Sequence, residues 1–399
     1  MPVGTPFHDR TLPLVESLSY REWAGYYAPS SYEPIHEHEY NALRNAAGVI
    51  DISPLFKYEV IGPDAARLIS HIITRSTDRL EHGHMIYTPW CDEHGVVLDD
   101  GTVARLGEDR FRWTAAEPNL RWIQQNSVGF NARVEDVSER VAALAIQGPT
   151  SAAVLRAAAE ADINGLKYFR LTSGRIDGRA VEISRTGYTG DLGYEVWMAR
   201  EDAGCVWDAI ARAGAQYGLR PTGLLALDVT RIEAGLLLLD VDFFSARRAL
   251  TESQRYTPFQ MGLDRLVDLT KSSFIGRRAL LEERRRGPAR RIVGVAIDWT
   301  DVERLYSAVG LPPLAVATAS RLAVPVSVGG RQVGRMTSST WSPTLKQMIG
   351  LATVDSEFAA LGSKIEIEHT VDVVRHRVGA TVVETPFFNP RRKTATPPA

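Results

Sequence analysis

The sequence predicts an α+β chain that ends in a small antiparallel β-barrel or sandwich. Three observations lead there. Up to about residue 288, helix-period stretches alternate with short apolar strands, and Gly, Pro, Asn and Asp punctuate them. From 289 to 386 the pattern changes to short β-like stretches, with Val328-Gly-Gly330 as a hairpin turn. A length of 399 residues at 44% hydrophobic content supplies enough apolar side chains for two or three cores.

The elements follow in order. Residues 1–30 are rich in Pro, Tyr and Trp without clear periodicity, and 34–48 read as a helix stopped by Gly48. Short strands at 49–52 and 57–61 precede the Gly62-Pro63 turn and a helix over 64–74, with Asp64 as its N-cap. The stretch 85–113 is a meander, because Asp92-Glu93-His94-Gly95 and Gly107-Glu108-Asp109 interrupt it at turn spacing. A helix is expected at 118–125, a strand at 141–146 and an Ala-rich helix capped by Thr150. Strands at 167–172, 180–185 and 194–198, then helices at 202–217 and 223–235, complete the first region. The change of pattern divides the chain into 1–288, with two α+β subdomains, and 289–386, a β domain; 387–399 reads as a disordered tail.

Composition removes several function classes. With 46 Lys+Arg against 48 Asp+Glu, the chain has no bulk charge to attract nucleic acid or anionic membranes. No segment approaches the roughly 20 apolar residues of a membrane span, and the start lacks a signal-peptide pattern. Two cysteines, Cys91 and Cys205, suit a reducing cytoplasm. No metal site is expected: His36 and His38 point to different helix faces, and nothing completes a zinc pattern around His82, His84 and His94. Hydrolase, dinucleotide and P-loop motifs are lacking.

Three features remain as candidate chemistry. Asp99 and Asp100 are consecutive, so on a strand they face opposite ways, and one leans inward if that strand is central. Two exposed turn acids is the other reading. Glu195 raises the same question beside Tyr194 and Trp197. The turn 187–193 has glycine at every third position, which fits either a hairpin or close approach to a flat ligand stacked on Tyr188.

Six ordered segments tie these features together. RTGYTGDLGYEV (185–196), GVVLDDGTV (95–103), ALAIQGPTS (143–151), TRIEAGLLL (230–238), SFIGRRAL (273–280) and TSSTWSPTLKQMIGLATV (337–354) resemble the successive signatures of the glycine cleavage T protein family. The resemblance implies a three-domain, ring-like fold with tetrahydrofolate in a central funnel. It also implies that Asp100 is the catalytic acid near the reactive folate nitrogens, that Glu195 binds the pterin, and that Tyr188 and Tyr87 line the same cavity.

Departures from the T-protein pattern refine the expected activity. Leu227 stands where that pattern has Arg, Ala116 where it has Asn and Arg265 in place of a Trp, whereas YTPWCDE (87–93), EDRF (108–111) and EAGLLLLDVDF (233–243) resemble dimethylsulfoniopropionate demethylase. The implied reaction moves a methyl group from a small sulfonium, betaine or methoxy compound to N5 of tetrahydrofolate. The alternatives are an aminomethyltransferase forming 5,10-methylenetetrahydrofolate and a folate-binding protein without activity. For a methylated cation, Tyr87, Trp90, Tyr188 and Trp341 offer cation–π faces, with Arg265 on the substrate side. A small methylated or aminomethyl substrate is expected, without a carrier-protein partner.

Overall fold

A computed structural model describes residues 1–397. Its centre is a seven-stranded sheet in the order Ala159–Glu160, Leu171–Ile176, Arg179–Ser184, Gly193–Ala199, Val141–Gln147, Ala47–Asp51 and Leu219–Pro221. Only the last pairing is parallel. Strand alternation gives the sheet two apolar faces. Leu144, Ile146, Tyr194, Val196 and Ile183 pack against helices Ser151–Ala158 and Ala203–Gly214, while Ala143, Ala145 and Trp197 face the core that holds helix Leu224–Glu233.

A five-stranded antiparallel sheet lies beside it, ordered Met85–Cys91, Val97–Arg105, Arg110–Ala115, Phe56–Ile61 and Arg133–Asp136. Its core gathers Trp90, Trp113, Phe111 and Tyr58 with helix Ala65–Ile72. The strands Arg290–Ile297, Gln347–Asp355, Arg331–Ser342, Val324–Val328, Lys364–Val371 and Val374–Val383 close into an antiparallel barrel around Val295, Val326, Val354 and Val378. The mixed α and β content and the C-terminal barrel agree with the fold class expected from sequence.

Differences from expectation have local causes. Tyr20–Trp23 and Tyr26–Pro29 form a ribbon in the segment without periodicity, and helix Trp299–Ala308 packs on the barrel where only strands were expected. Asp64 and Thr150 occupy the N-cap positions without capping. The Asp64 carboxylate instead accepts from Asn131 N at 2.9 Å, and Thr150 Oγ1 donates to Tyr217 O at 2.9 Å. Long-range partners outcompeted the local cap in both places. The strand expected at 167–172 begins at Leu171, because Phe169 takes a left-handed φ of 58° and turns the chain.

The tail is also not the disordered segment expected at 387–399. Phe388 N donates to Glu233 O at 2.8 Å, Arg391–Lys393 form a turn of 3-10 helix, and Arg392 pairs with Asp191; positions 398–399 lie outside the described residues. Composition suggested a solvated end. A buried acid waiting on another element reversed that outcome. Among the described residues, no helix is long and apolar enough to cross a membrane.

Candidate functional site

Cross-strand register decides which acid faces where. Asp100 pairs with Pro89 and Asp99 with Trp90 across the two strands Met85–Cys91 and Val97–Arg105. Tyr87 therefore shares the face of Asp100, and Trp90 shares the face of Asp99. Tyr87 Oη donates to Asp100 Oδ2 at 2.5 Å. On the opposite face Asp99 is fully buried and accepts from Asp100 N at 2.8 Å, Glu117 N at 2.9 Å and Asn119 Nδ2 at 2.8 Å. Asp99, Asn119 and Glu117 thus brace the strand from behind, a role that sequence reasoning did not assign.

Glu195 is built the same way on the seven-stranded sheet. It pairs with Ser184, so Ser184, Thr186 and Glu195 share a face. Thr186 Oγ1 donates to Glu195 Oε2 at 2.7 Å and Ser184 Oγ lies 3.5 Å from the same oxygen. Arg112 crosses from the five-stranded sheet, ion-pairs with Glu182 and stacks its guanidinium 4.3 Å from the Trp197 ring centre. That arginine joins the two sheets beside Glu195.

The glycines of the 187–193 turn have a specific cause. A Cβ at Gly187 or Gly193 would fall 1.9 or 2.2 Å from Gln147 Oε1. Gln147 occupies the inside of the turn, donating to Thr186 O and Tyr194 O, both at 3.1 Å, and accepting from Thr189 Oγ1 at 3.0 Å. The close approach is to a side chain of the protein itself. Tyr188 projects from this turn and donates its hydroxyl to Leu237 O.

Asp100, Tyr87, Tyr188 and Glu195 lie deep in the molecule, yet each keeps part of its surface open. Tyr188 stands close enough to Tyr87 and Asp100 for their charges to act on one another. Burial pushes the Asp100 carboxyl up to about 6, opposed by the Tyr87 hydrogen bond. Burial, then the neighbouring Asp100 charge, pushes Asp99 well above the usual carboxylate range. Burial likewise raises Glu195, against the Thr186 hydrogen bond, and raises Tyr87 and Tyr188. A part-exposed acid that titrates near neutrality, with a phenol donor in contact, can hold or release a proton.

The remaining expected substrate residues are placed differently from one another. Trp90 is fully buried, edge-on to Trp113 at 4.9 Å, with Nε1 on Asn119 Oδ1 at 3.3 Å. It is a core residue, as its strand parity dictates, and its expected substrate contact is corrected accordingly. Trp341 stacks on Trp299 at 4.7 Å against the barrel. Arg265 is exposed, close enough to Arg75, Tyr168 and Lys393 to act on their charges. Tyr168 also feels Glu195, so a phenol and the cations Arg75 and Lys393, which the sequence did not single out, gather near Arg265 and Glu195.

Tyr87→Phe tests the Asp100 contact. Loss of a donor to a carboxylate disfavours the charged form, so an activity limb that follows Asp100 moves to higher pH by about one unit. A pH–rate profile of the variant checks the shift; an unmoved limb would mean that Tyr87 does not govern Asp100.

Comparison with known proteins places this geometry in a family context. The GCVT N-terminal domain model matches residues 16–271, and the glycine cleavage T-protein C-terminal barrel domain model matches residues 309–389. The chain is 35% identical to an aminomethyltransferase of Halothermothrix orenii over 92% of this chain and 95% of that protein. It is 36% identical to a trimethylamine-oxide aldolase of Ruegeria pomeroyi over 97% of this chain, and spans only 47% of that longer relative. A glycine cleavage system aminomethyltransferase T from Bartonella henselae has the same fold, with a TM-score of 0.81 at 23% identity, covering 98% of this chain and 99% of that one.

Proposed function

The chain belongs to the glycine cleavage T-protein family, and from that premise we propose that it is a tetrahydrofolate-dependent one-carbon transferase. Its donor would be a small aminomethyl compound, and its products 5,10-methylenetetrahydrofolate, ammonia and the protonated remainder of the donor, the two folate N–H protons passing to the leaving groups. The observation that carries this reading is Asp100: a part-exposed carboxyl pushed up to about 6 by burial, with Tyr87 donating to it and Tyr188 close by.

The residues fit tetrahydrofolate in kind. A reduced pterin is flat, with amide and amine donors that match a buried carboxylate such as Glu195 and an apolar ring face such as that of Tyr188. When bound, tetrahydrofolate supplies two amine nitrogens that accept a carbon at the oxidation level of formaldehyde. Asp100 is the group that takes up or returns a proton beside them, and Tyr87 fixes its orientation. The cavity walls keep bulk water from competing for the carbon.

Methyl transfer to N5 from a sulfonium or betaine calls for aromatic faces around the methylated cation. Trp90 lies in the core and Trp341 stacks on Trp299 against the barrel, which leaves only the ring faces of Tyr87 and Tyr188 for that role. Aminomethyl transfer needs no such faces. The name of the Halothermothrix orenii relative points the same way.

The test is product analysis. A panel of 13C-labelled donors, comprising aminomethyl compounds, N-methylamines, trimethylamine oxide, a sulfonium, a betaine and a methoxyarene, is incubated with enzyme and tetrahydrofolate, and the folates are resolved by mass spectrometry. Labelled 5,10-methylenetetrahydrofolate from an aminomethyl donor is expected. Labelled 5-methyltetrahydrofolate from a methylated donor would overturn the proposal in favour of demethylation.

A further inference from the structure

After the last barrel strand the chain returns to the seven-stranded sheet and fastens to the outside of the turn that carries Tyr188. Phe388 N donates to Glu233 O at 2.8 Å, and the Phe388 ring lies 4.4 Å below the Arg44 guanidinium. Arg392 grips Asp191 in a two-pronged pair, Nε to Oδ1 at 2.6 Å and Nη2 to Oδ2 at 2.7 Å. Arg185, the first residue of the turn motif, donates from Nη2 to the carbonyls of Arg392 and Lys393 at 3.3 Å and to that of Ala395. Turn and tail therefore hold each other at two points.

The charges explain why the pair matters. Asp191 is wholly buried, with Arg44 Nη1 at 3.6 Å as its other cation, and Arg44 is already engaged by Glu233 at 2.5 Å. Two arginines and two acids balance. Without Arg392 this buried group carries an excess negative charge centred on Asp191, which an interior does not tolerate unpaired. Gln147 secures the inner side of the turn at Thr186, Thr189 and Tyr194. On the outer side, Arg44 donates to Thr189 O at 2.9 Å, and Arg392 holds the residue that follows Gly190.

We propose that residues 387–397 form a positioning strap for the Tyr188 turn, fastened by the Arg392–Asp191 pair, and that this fastening sets the affinity of the cavity for its ligand. The second half of the statement rests on the tetrahydrofolate reading; the first does not. Arg392 is a positioning residue: it touches Asp191, and through the turn it fixes where Tyr188 stands in the cavity wall.

Two readouts separate these halves. In ligand-free protein, Arg392→Ala should speed amide hydrogen exchange across 186–193 at least about tenfold while the barrel strands exchange as before. Tetrahydrofolate titration, read by tryptophan fluorescence, should show a dissociation constant raised about tenfold, with turnover at saturating folate within about threefold of wild type. Arg392→Lys, which keeps charge but loses the fork, should recover part of both effects. Arg391→Ala, which removes an exposed neighbouring side chain, should change neither.

Unchanged exchange in the turn, or exchange that rises equally across the chain, would overturn the strap. Local loosening with unaltered folate affinity would overturn its effect on the ligand. Wild-type protein that fails to bind tetrahydrofolate would remove the folate reading and leave the exchange result to judge the strap alone.

Discussion

Asp100→Asn should abolish turnover, by about 10²–10⁴-fold if the residue acts as the general acid or base, while leaving tetrahydrofolate binding within an order of magnitude. The amide keeps the shape and still accepts from Tyr87 Oη, so only the proton chemistry is lost. In the wild type, turnover should rise with pH through about 6 as the carboxylate forms. That limb belongs to the Asp99–Asp100 pair, since the two acids act on each other's charge. It should vanish in the variant. Full activity in Asp100→Asn would move the chemistry elsewhere in the cavity.

The same substitution should stabilise the fold. The folded-state value lies above the ordinary 3.8, so the folded chain retains a proton that the unfolded chain has released. Stability from this group is complete below about pH 4 and is lost as pH rises towards 6. At pH 7–8 the wild type bears a buried carboxylate, and its removal should add up to a few kcal/mol. Urea denaturation at pH 5 and pH 8 checks the sign: the gain of Asp100→Asn over wild type is larger at pH 8. A more stable, inactive protein is the signature of an acid kept for chemistry.

Much of this site was legible because its residues sit within short signatures. Asp100 and Glu195 could be picked from their motifs, and the parity of the strands then fixes their faces. That parity could also have excluded Trp90: three positions from Tyr87 on one strand, it faces the other side of the sheet, into the core with Trp113. Other contacts left no local trace. Arg392 and Asp191 are 201 residues apart, and the basic run around Arg392 reads as a solvated end until the buried acid is seen. Asn119 behind Asp99 and Arg112 beside Glu195 carry no motif; the first role arises where the chain turns back after strand Arg110–Ala115, the second where Arg112 reaches the neighbouring sheet. The glycines of 187–193 were visible, but what needs them, the Gln147 side chain, comes from a strand 40 residues earlier.

The largest loss of stability should follow Arg231→Leu. Arg231 is 1% exposed and lies where helix Leu224–Glu233, the 236–242 segment and the barrel meet. Its guanidinium donates to Asp228 at 2.9 Å, Asp242 at 2.5 Å, Ser338 Oγ at 2.7 Å and Leu236 O at 3.2 Å. Asp242 also accepts from Thr337 Oγ1, Ser338 Oγ and Leu238 N, so one buried acid ties the barrel strand to the segment before it. Leucine leaves Asp242 without its cation, at a cost of about 3–5 kcal/mol. The double variant Arg231→Leu, Asp242→Leu removes the orphaned charge and should regain part of that loss in urea denaturation, because the penalty lies in the unpaired acid more than in the missing bond. Tyr188 donates to Leu237 O, inside the same segment, so Arg231→Leu should also weaken tetrahydrofolate binding. If the double variant is no more stable than the single one, the knot is holding shape through its hydroxyl and backbone partners and not through charge balance.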